Sequence, residues 1–169
     1  MTKAVSHQTN PRDVVLPPAS TVLGKGARAP LNFTLSSLVG DGRVSLSKAF
    51  HARPGVVNFF ASWCTACQTE LSALRATASS YGSSVAFVGI DTNDAATGTA
   101  ADIARRAGVG YPLGVDTQAG TIATAFGVSG LPTTFVVDST GHVRWETLGA
   151  VTEAQLKAQL GPLLARSTH

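Results

Sequence analysis

Hydrophobic positions along the chain switch between a period of two and a period of 3.6, and the switches outline strands alternating with helices. Phe33 and Leu35 alternate with polar neighbours, as do Val44 and Leu46. Gly40-Asp41-Gly42 between the two pairs supplies turn residues, so this segment predicts a hairpin. Val56-Val57-Asn58-Phe59-Phe60 is nearly continuous in apolar residues, as expected of a strand covered on both faces. From Cys64 the period lengthens: Cys67, Leu71, Leu74, Ala78 and Tyr81 lie on one face of a helix, and Gly82 is placed to stop it.

The alternation continues to the end of the chain. A second buried strand is expected at Val85 to Ile90, and a helix around Ala100 to Ala107 stops at Gly108. An extended piece follows at Tyr111 to Val115, then a helix from about Gln118 to Phe126. Thr133 to Val137, the turn Asp138-Ser139-Thr140-Gly141 and Val143 to Thr147 predict an antiparallel hairpin. Thr152 and Gln155 have capping-box spacing, and Leu156, Leu160, Leu163 and Leu164 form the apolar face of a last helix. Together these elements predict an α/β fold: a mixed central sheet, helices on both faces and an N-terminal β-hairpin. Residues 1–25 show no periodicity, and Asn10-Pro11 and Pro17-Pro18 favour extended or turn conformations. They read as a flexible leader before one domain at 26–165, with 166–169 as a tail.

Composition narrows the class. At 169 residues, 44% hydrophobic and 14% charged, the chain can bury one core without a disulfide scaffold or a structural metal. Thirteen Lys and Arg against ten Asp and Glu give a net charge of +3. The basic residues are scattered, so no nucleic-acid partner is expected. No run approaches the ~20 apolar residues of a membrane span, so no membrane insertion by this chain is expected either. The first two dozen residues lack a signal-peptide core. Either the protein is cytoplasmic, complete as given, or an export or membrane-tether segment has been removed from it.

The two cysteines, Cys64 and Cys67, are the only ones in the chain and stand three apart where the buried strand gives way to the helix. The first turn of a helix offers unpaired N–H groups and the positive end of the helix dipole, both of which stabilise a thiolate. Cys64 gains most from that position. Cys67 lies one turn on, on the same side, where its sulfur can attack a mixed disulfide formed at Cys64. Two other readings use the same residues. Half of a zinc site would need a second ligand pair, and His7, His51, His142 and His169 show no such spacing. Two buried, inert thiols are the other.

Two separate motifs carry a family resemblance. Phe59-Phe60-Ala61-Ser62-Trp63-Cys64-Thr65-Ala66-Cys67 resembles the active-site segment of the thioredoxin superfamily, and Gly130-Leu131-Pro132-Thr133-Thr134-Phe135 resembles its cis-proline loop. Ala29-Pro30-Leu31-Asn32-Phe33, the early hairpin, Asn58 and Glu70 are similar to the TlpA/ResA-like branch. Those thioredoxin-like proteins act outside the bacterial cytoplasm, often tethered to the membrane and often serving cytochrome c maturation. The resemblance spans Gly26 to Leu164. It implies a thioredoxin-like fold, with Cys64 as the exposed nucleophile and Cys67 as the buried resolving thiol. It also puts Trp63 on the rim of the site and a cis bond between Leu131 and Pro132, so that the Leu131 backbone can pair with an extended substrate segment.

Glu70 lies three residues after Cys67, so an ionised carboxylate there would disfavour the Cys67 thiolate and the two would titrate together. The alternative is a solvated glutamate on the helix surface. Asn58 stands where many cytoplasmic thioredoxins have a buried Asp, which makes Glu70 the better candidate for a proton acceptor. Thr65-Ala66 between the cysteines departs from the Gly-Pro of general thioredoxins, and the sequence does not give the sign of its effect on redox potential.

The leading expectation is a thiol–disulfide oxidoreductase that reduces disulfides of exported proteins, apocytochrome c among them, and is recharged by an upstream electron donor. Its equipment would be the redox-active disulfide, with no other cofactor and no metal. A disulfide-forming oxidase uses the same residues in the opposite direction. A peroxiredoxin-like peroxidase would need a Thr where Ala61 stands, and a Sco-type copper carrier a C-x-x-x-C pair with a distant His.

Overall fold

The computed structural model describes residues 23–166. Most of the expected leader and tail therefore lie outside the described residues. In chain order the elements are β1 (Thr34–Ser37), β2 (Arg43–Ser45), α1 (Leu46–Ala49), β3 (Gly55–Phe60), α2 (Thr65–Tyr81), β4 (Ala86–Asp91), α3 (Thr97–Arg106), β5 (Leu113–Val115), α4 (Thr121–Phe126), β6 (Thr133–Val137), β7 (Val143–Leu148) and α5 (Glu153–Arg166). The seven strands form one sheet in the order β2-β1-β5-β4-β3-β6-β7.

The mixed sheet follows from the connections. β3 and β4 are parallel, as are β4 and β5, and parallel neighbours require crossovers, which α2 and α3 supply. The hairpin β1–β2 and the pairs β1–β5, β3–β6 and β6–β7 are antiparallel. All six residues of β3 are buried, and alternation sends them to two different layers. Val57 and Phe59 pack with Leu46, Phe50, Ile122, Phe126 and Phe135, against α1 and α4. Val56 and Phe60 face the other way. Val56 meets Leu74, Leu156 and Leu160 from α2 and α5, while Phe60 joins Cys64, Cys67, Ala100 and Ala104 from α2 and α3. Helices thus cover both faces of a thioredoxin-like sheet.

Several boundaries differ from the sequence reading, each for a local reason. Leu46 points inward as its alternation predicts, but it opens α1 rather than continuing a strand, because the Ser45 hydroxyl accepts the Lys48 N–H and caps a helical turn. Phe33 lies just before β1, and its carbonyl accepts the Leu46 N–H. Gln118 falls in a turn closed by Gly120 N–H to Thr117 carbonyl, with Gly120 at φ 63°, so α4 starts only at Thr121. α3 begins earlier than read, at Thr97, and only Leu113–Val115 of the extended piece pairs in the sheet.

Candidate active site

The chain leaves β3 at Phe60, turns through Ala61, Ser62 and Trp63, and enters α2 with Cys64 as its N-cap. The Cys67 N–H donates to Cys64 Sγ at 3.2 Å, so the sulfur occupies the place an N-cap oxygen usually takes. Cys64 and Cys67 are joined as a disulfide. Cys64 keeps 6% of its surface exposed and Cys67 1%. The difference runs in the direction the resemblance implies, but Cys64 is more buried than an exposed nucleophile would be. The physical reason is the company the disulfide keeps: it packs with Phe60, Ala100, Ala101 and Leu113, while Trp63, Thr65 and Ala66 stand out into solvent.

Leu131 packs against the same cluster, and the Leu131–Pro132 bond is cis, which brings the second sequence motif beside the first. Trp63, 60% exposed, donates its indole N–H to the Asn93 carbonyl at 2.9 Å. Together with Thr92, Asn93, Gly130 and Leu131 it lines a groove of about 380 Å³ next to the disulfide.

Glu70 is buried rather than solvated, with only 1% of its surface exposed. Its Oε1 accepts Asn58 Nδ2 at 2.6 Å and its Oε2 accepts the Val151 N–H at 3.0 Å. Asn58 Nδ2 also donates to Thr134 Oγ1 at 3.1 Å, tying α2, β3 and β6 together. Burial pushes the Glu70 carboxyl up to about 7, and the hydrogen bonds from Val151 and Asn58 only partly offset it. The phenol of Tyr111 is buried without a hydrogen-bond partner; burial first, and then the Glu70 charge, hold its pKa well above the usual tyrosine value.

Sequence reasoning did not single out Asp94. Its Oδ2 accepts the Ser62 N–H at 2.5 Å and its Oδ1 the Ser62 hydroxyl at 3.0 Å, two residues before Cys64. The available signal was topological: parallel β3 and β4 end side by side, so the polar run Asp91-Thr92-Asn93-Asp94 had to emerge beside the cysteine loop. The Val151 N–H carries no side-chain signal in the sequence at all.

Chemically the arrangement offers a sulfur at a helix N-terminus, a second sulfur bonded to it and a buried carboxyl poised near neutrality one turn further in. Four similarities bear on that chemistry. Residues 26–146 match the AhpC/TSA family. The chain is 33% identical over 151 residues to the thiol:disulfide interchange protein DsbE of Xylella fastidiosa, covering 89% of this chain and 73% of that one. It is 28% identical over 141 residues to the thiol–disulfide oxidoreductase ResA of Geobacillus thermodenitrificans, covering 83% and 78%. Among solved structures, a DsbF homologue from Corynebacterium diphtheriae superposes with a TM-score of 0.73 at 26% identity, covering 95% of this chain and all (100%) of that one. The chain belongs to the AhpC/TSA family and, within it, to the thiol–disulfide oxidoreductases similar to DsbE and ResA.

Proposed function

We propose that this thiol–disulfide oxidoreductase works as a reductase on disulfides of exported proteins, outside the cytoplasm, with apocytochrome c as one candidate substrate. The observation that carries the role assignment is the Cys67 N–H donated to Cys64 Sγ at the N-cap of α2. In the dithiol form that contact stabilises a thiolate on Cys64 and not on Cys67. The Cys64 thiolate attacks one sulfur of a substrate disulfide, forming a mixed disulfide and expelling the other substrate sulfur as a thiolate. Cys67, losing its proton, then attacks Cys64 Sγ; the Cys64–Cys67 disulfide forms and the second substrate thiol leaves. Two electrons pass to the substrate, and an upstream dithiol donor restores the pair. In this reading Glu70, three residues after Cys67 on α2, is assigned as the acceptor of the Cys67 proton; its burial and a pKa close to neutrality support the assignment. The redox-active disulfide is the only redox group this cycle uses. An extended substrate segment would lie in the groove between Trp63 and Leu131. Among the described residues no helix is long and apolar enough to cross a membrane, so a membrane tether would have to lie elsewhere.

The assignment is tested by trapping. Cys67→Ser should accumulate a mixed disulfide through Cys64, and Cys64→Ser should accumulate none; equal trapping by both variants overturns it. Direction is tested by the reduction potential of the Cys64–Cys67 pair against glutathione. A value toward the oxidising end of the thioredoxin-like range would remove the reductase reading in favour of a disulfide-forming oxidase.

A further inference from the structure

Asp91 ends β4 opposite Phe60 of β3, and strand alternation puts it on the same sheet face as Gly89, whose Cα is backed by Phe60, Tyr111 and Leu113. That is the layer in which Phe60 packs with Cys64 and Cys67. The residue is 1% exposed, and both of its carboxyl oxygens are buried without a hydrogen-bond donor. A buried carboxylate in that state is unstable as an anion, so the group needs either a cation or a proton. Among the described residues no cation is paired with it. From the packed elements β3 presents Phe60, α2 the disulfide, α3 Ala100, Ala101 and Ala104, and β5 Leu113. Beyond β5, Asp116 turns its carboxylate away, toward Thr92 and the first N–H groups of α4. The charged group that does face Asp91 is Asp94.

Asp94 is held in place on its other side. It accepts the N–H and the hydroxyl of Ser62 and the N–H of Ala96, and the intervening Asn93 carbonyl accepts the indole N–H of Trp63. The loop 91–96 therefore grips the two residues immediately before Cys64. We propose that Asp91 and Asp94 form a carboxyl–carboxylate pair sharing one proton, and that the pair positions the Ser62–Trp63–Cys64 turn for thiol–disulfide exchange. With the proton on Asp91, its O–H donates to Asp94, which keeps its charge for Ser62. Once that proton is lost, two adjacent carboxylates repel and the grip on Ser62 and Trp63 loosens. Burial first, and then the neighbouring Asp94 charge, push Asp91 up to about 8, while the hydrogen bonds from Ser62 and Ala96 outweigh burial and hold Asp94 below the usual range. Asp91 and Asp94 are positioning residues acting through Ser62 and Trp63, and the proposal rests on exchange chemistry at Cys64 in either direction.

The test uses the oxidised protein, in which no thiol titrates, so its failure is separate from failure of the proposed direction of electron flow. In a Trp145→Phe background the Trp63 emission is followed from about pH 6 to 10. One transition is expected, centred near the Asp91 value, lost in Asp91→Asn and retained in Glu70→Gln. Absence of the transition, or its persistence in Asp91→Asn, overturns the pair. A second measurement needs no substitution: the carboxyl carbon resonance of Asp91 in the wild-type oxidised protein should titrate far above ordinary aspartates, and titration in the ordinary range overturns the proposal. For the positioning role, Asp94→Asn should slow the reaction of reduced protein with glutathione disulfide roughly tenfold, the effect of losing one charge-assisted hydrogen bond. Unchanged kinetics in that variant would leave no positioning role to assign.

Discussion

Glu70 has its carboxyl one turn beyond Cys67 and below the surface, held by Asn58 on one oxygen and Val151 on the other. Two hydrogen bonds would normally favour the anion, but removal from water has the larger effect, and the group sits near 7. A carboxyl in that position can exist in either form at neutral pH, which is what a proton acceptor for Cys67 requires. Above about pH 7 the anion predominates, so release of substrate from the mixed disulfide should speed up as pH rises through that value. Glu70→Gln removes the inflection and should slow single-turnover release at pH 7 by about 100-fold, at the lower end of general acid–base contributions. The amide keeps the size and one acceptor oxygen, but its NH2 replaces an oxygen that accepts from Asn58 or Val151, so a modest loss of stability is expected beside the loss of proton uptake. A variant with the wild-type pH profile would assign Glu70 to structure alone. Thr65 and Ala66, both exposed, touch neither Glu70 nor its partners through any hydrogen bond between side chains.

At the level of elements, the groove wall depends on Asp116. Its carboxylate accepts the N–H groups of Thr117, Ile122 and Ala123 and the hydroxyl of Thr92, so one buried side chain both starts α4 and ties it to the end of β4. Asp116→Ala leaves these donors without their acceptor and should cost about 1–3 kcal/mol, read as a lower urea midpoint at unchanged slope. This connection also shows where sequence reading ends. β3, α2, the β6–β7 hairpin and α5 were legible because period, turn and cap all lie within a few residues. The start of α4 was not, because its capping carboxylate precedes Ile122 by six residues and is reached through a turn. α1 spans only four residues, too short for a helical period to show. The cysteines and the cis-proline loop were legible as motifs, whereas the state of Glu70 was not: its partners lie 12 and 81 residues away, and burial is a property of the assembled layers. Asp94 reaches Ser62 across 32 residues for the same reason.

For the whole molecule, the three carboxyl groups with the largest displacements, Glu70, Asp91 and Asp138, set most of the response of stability to pH. Glu70 near 7 and Asp91 near 8 lie above their unfolded values, so between about pH 4 and 8 the folded protein binds more protons than the unfolded chain. Stability then falls as pH rises: the contribution of these groups is complete below the unfolded pKa and is lost as pH climbs through the folded one. Asp138 has the opposite sign. Burial would raise it, but the N–H groups of His142 and Thr140, the Thr140 hydroxyl and the Arg144 guanidinium bring it down to about 2. Its contribution is present above the unfolded pKa and is lost as pH falls through about 2. The oxidised protein should therefore be most stable in mildly acid solution, near pH 4 to 5, and lose about 1–3 kcal/mol toward pH 8 from Glu70 alone. Urea midpoints of the disulfide form at pH 5 and pH 8 measure this directly. Glu70→Gln and Asp91→Asn should each make the difference smaller, and the double variant should nearly abolish it, since the two groups lie on different hydrogen-bond networks. A wild-type midpoint that rises from pH 5 to pH 8 would show that these carboxyls are already ionised in the folded state, and would remove both the shared proton at Asp91 and the near-neutral titration assigned to Glu70.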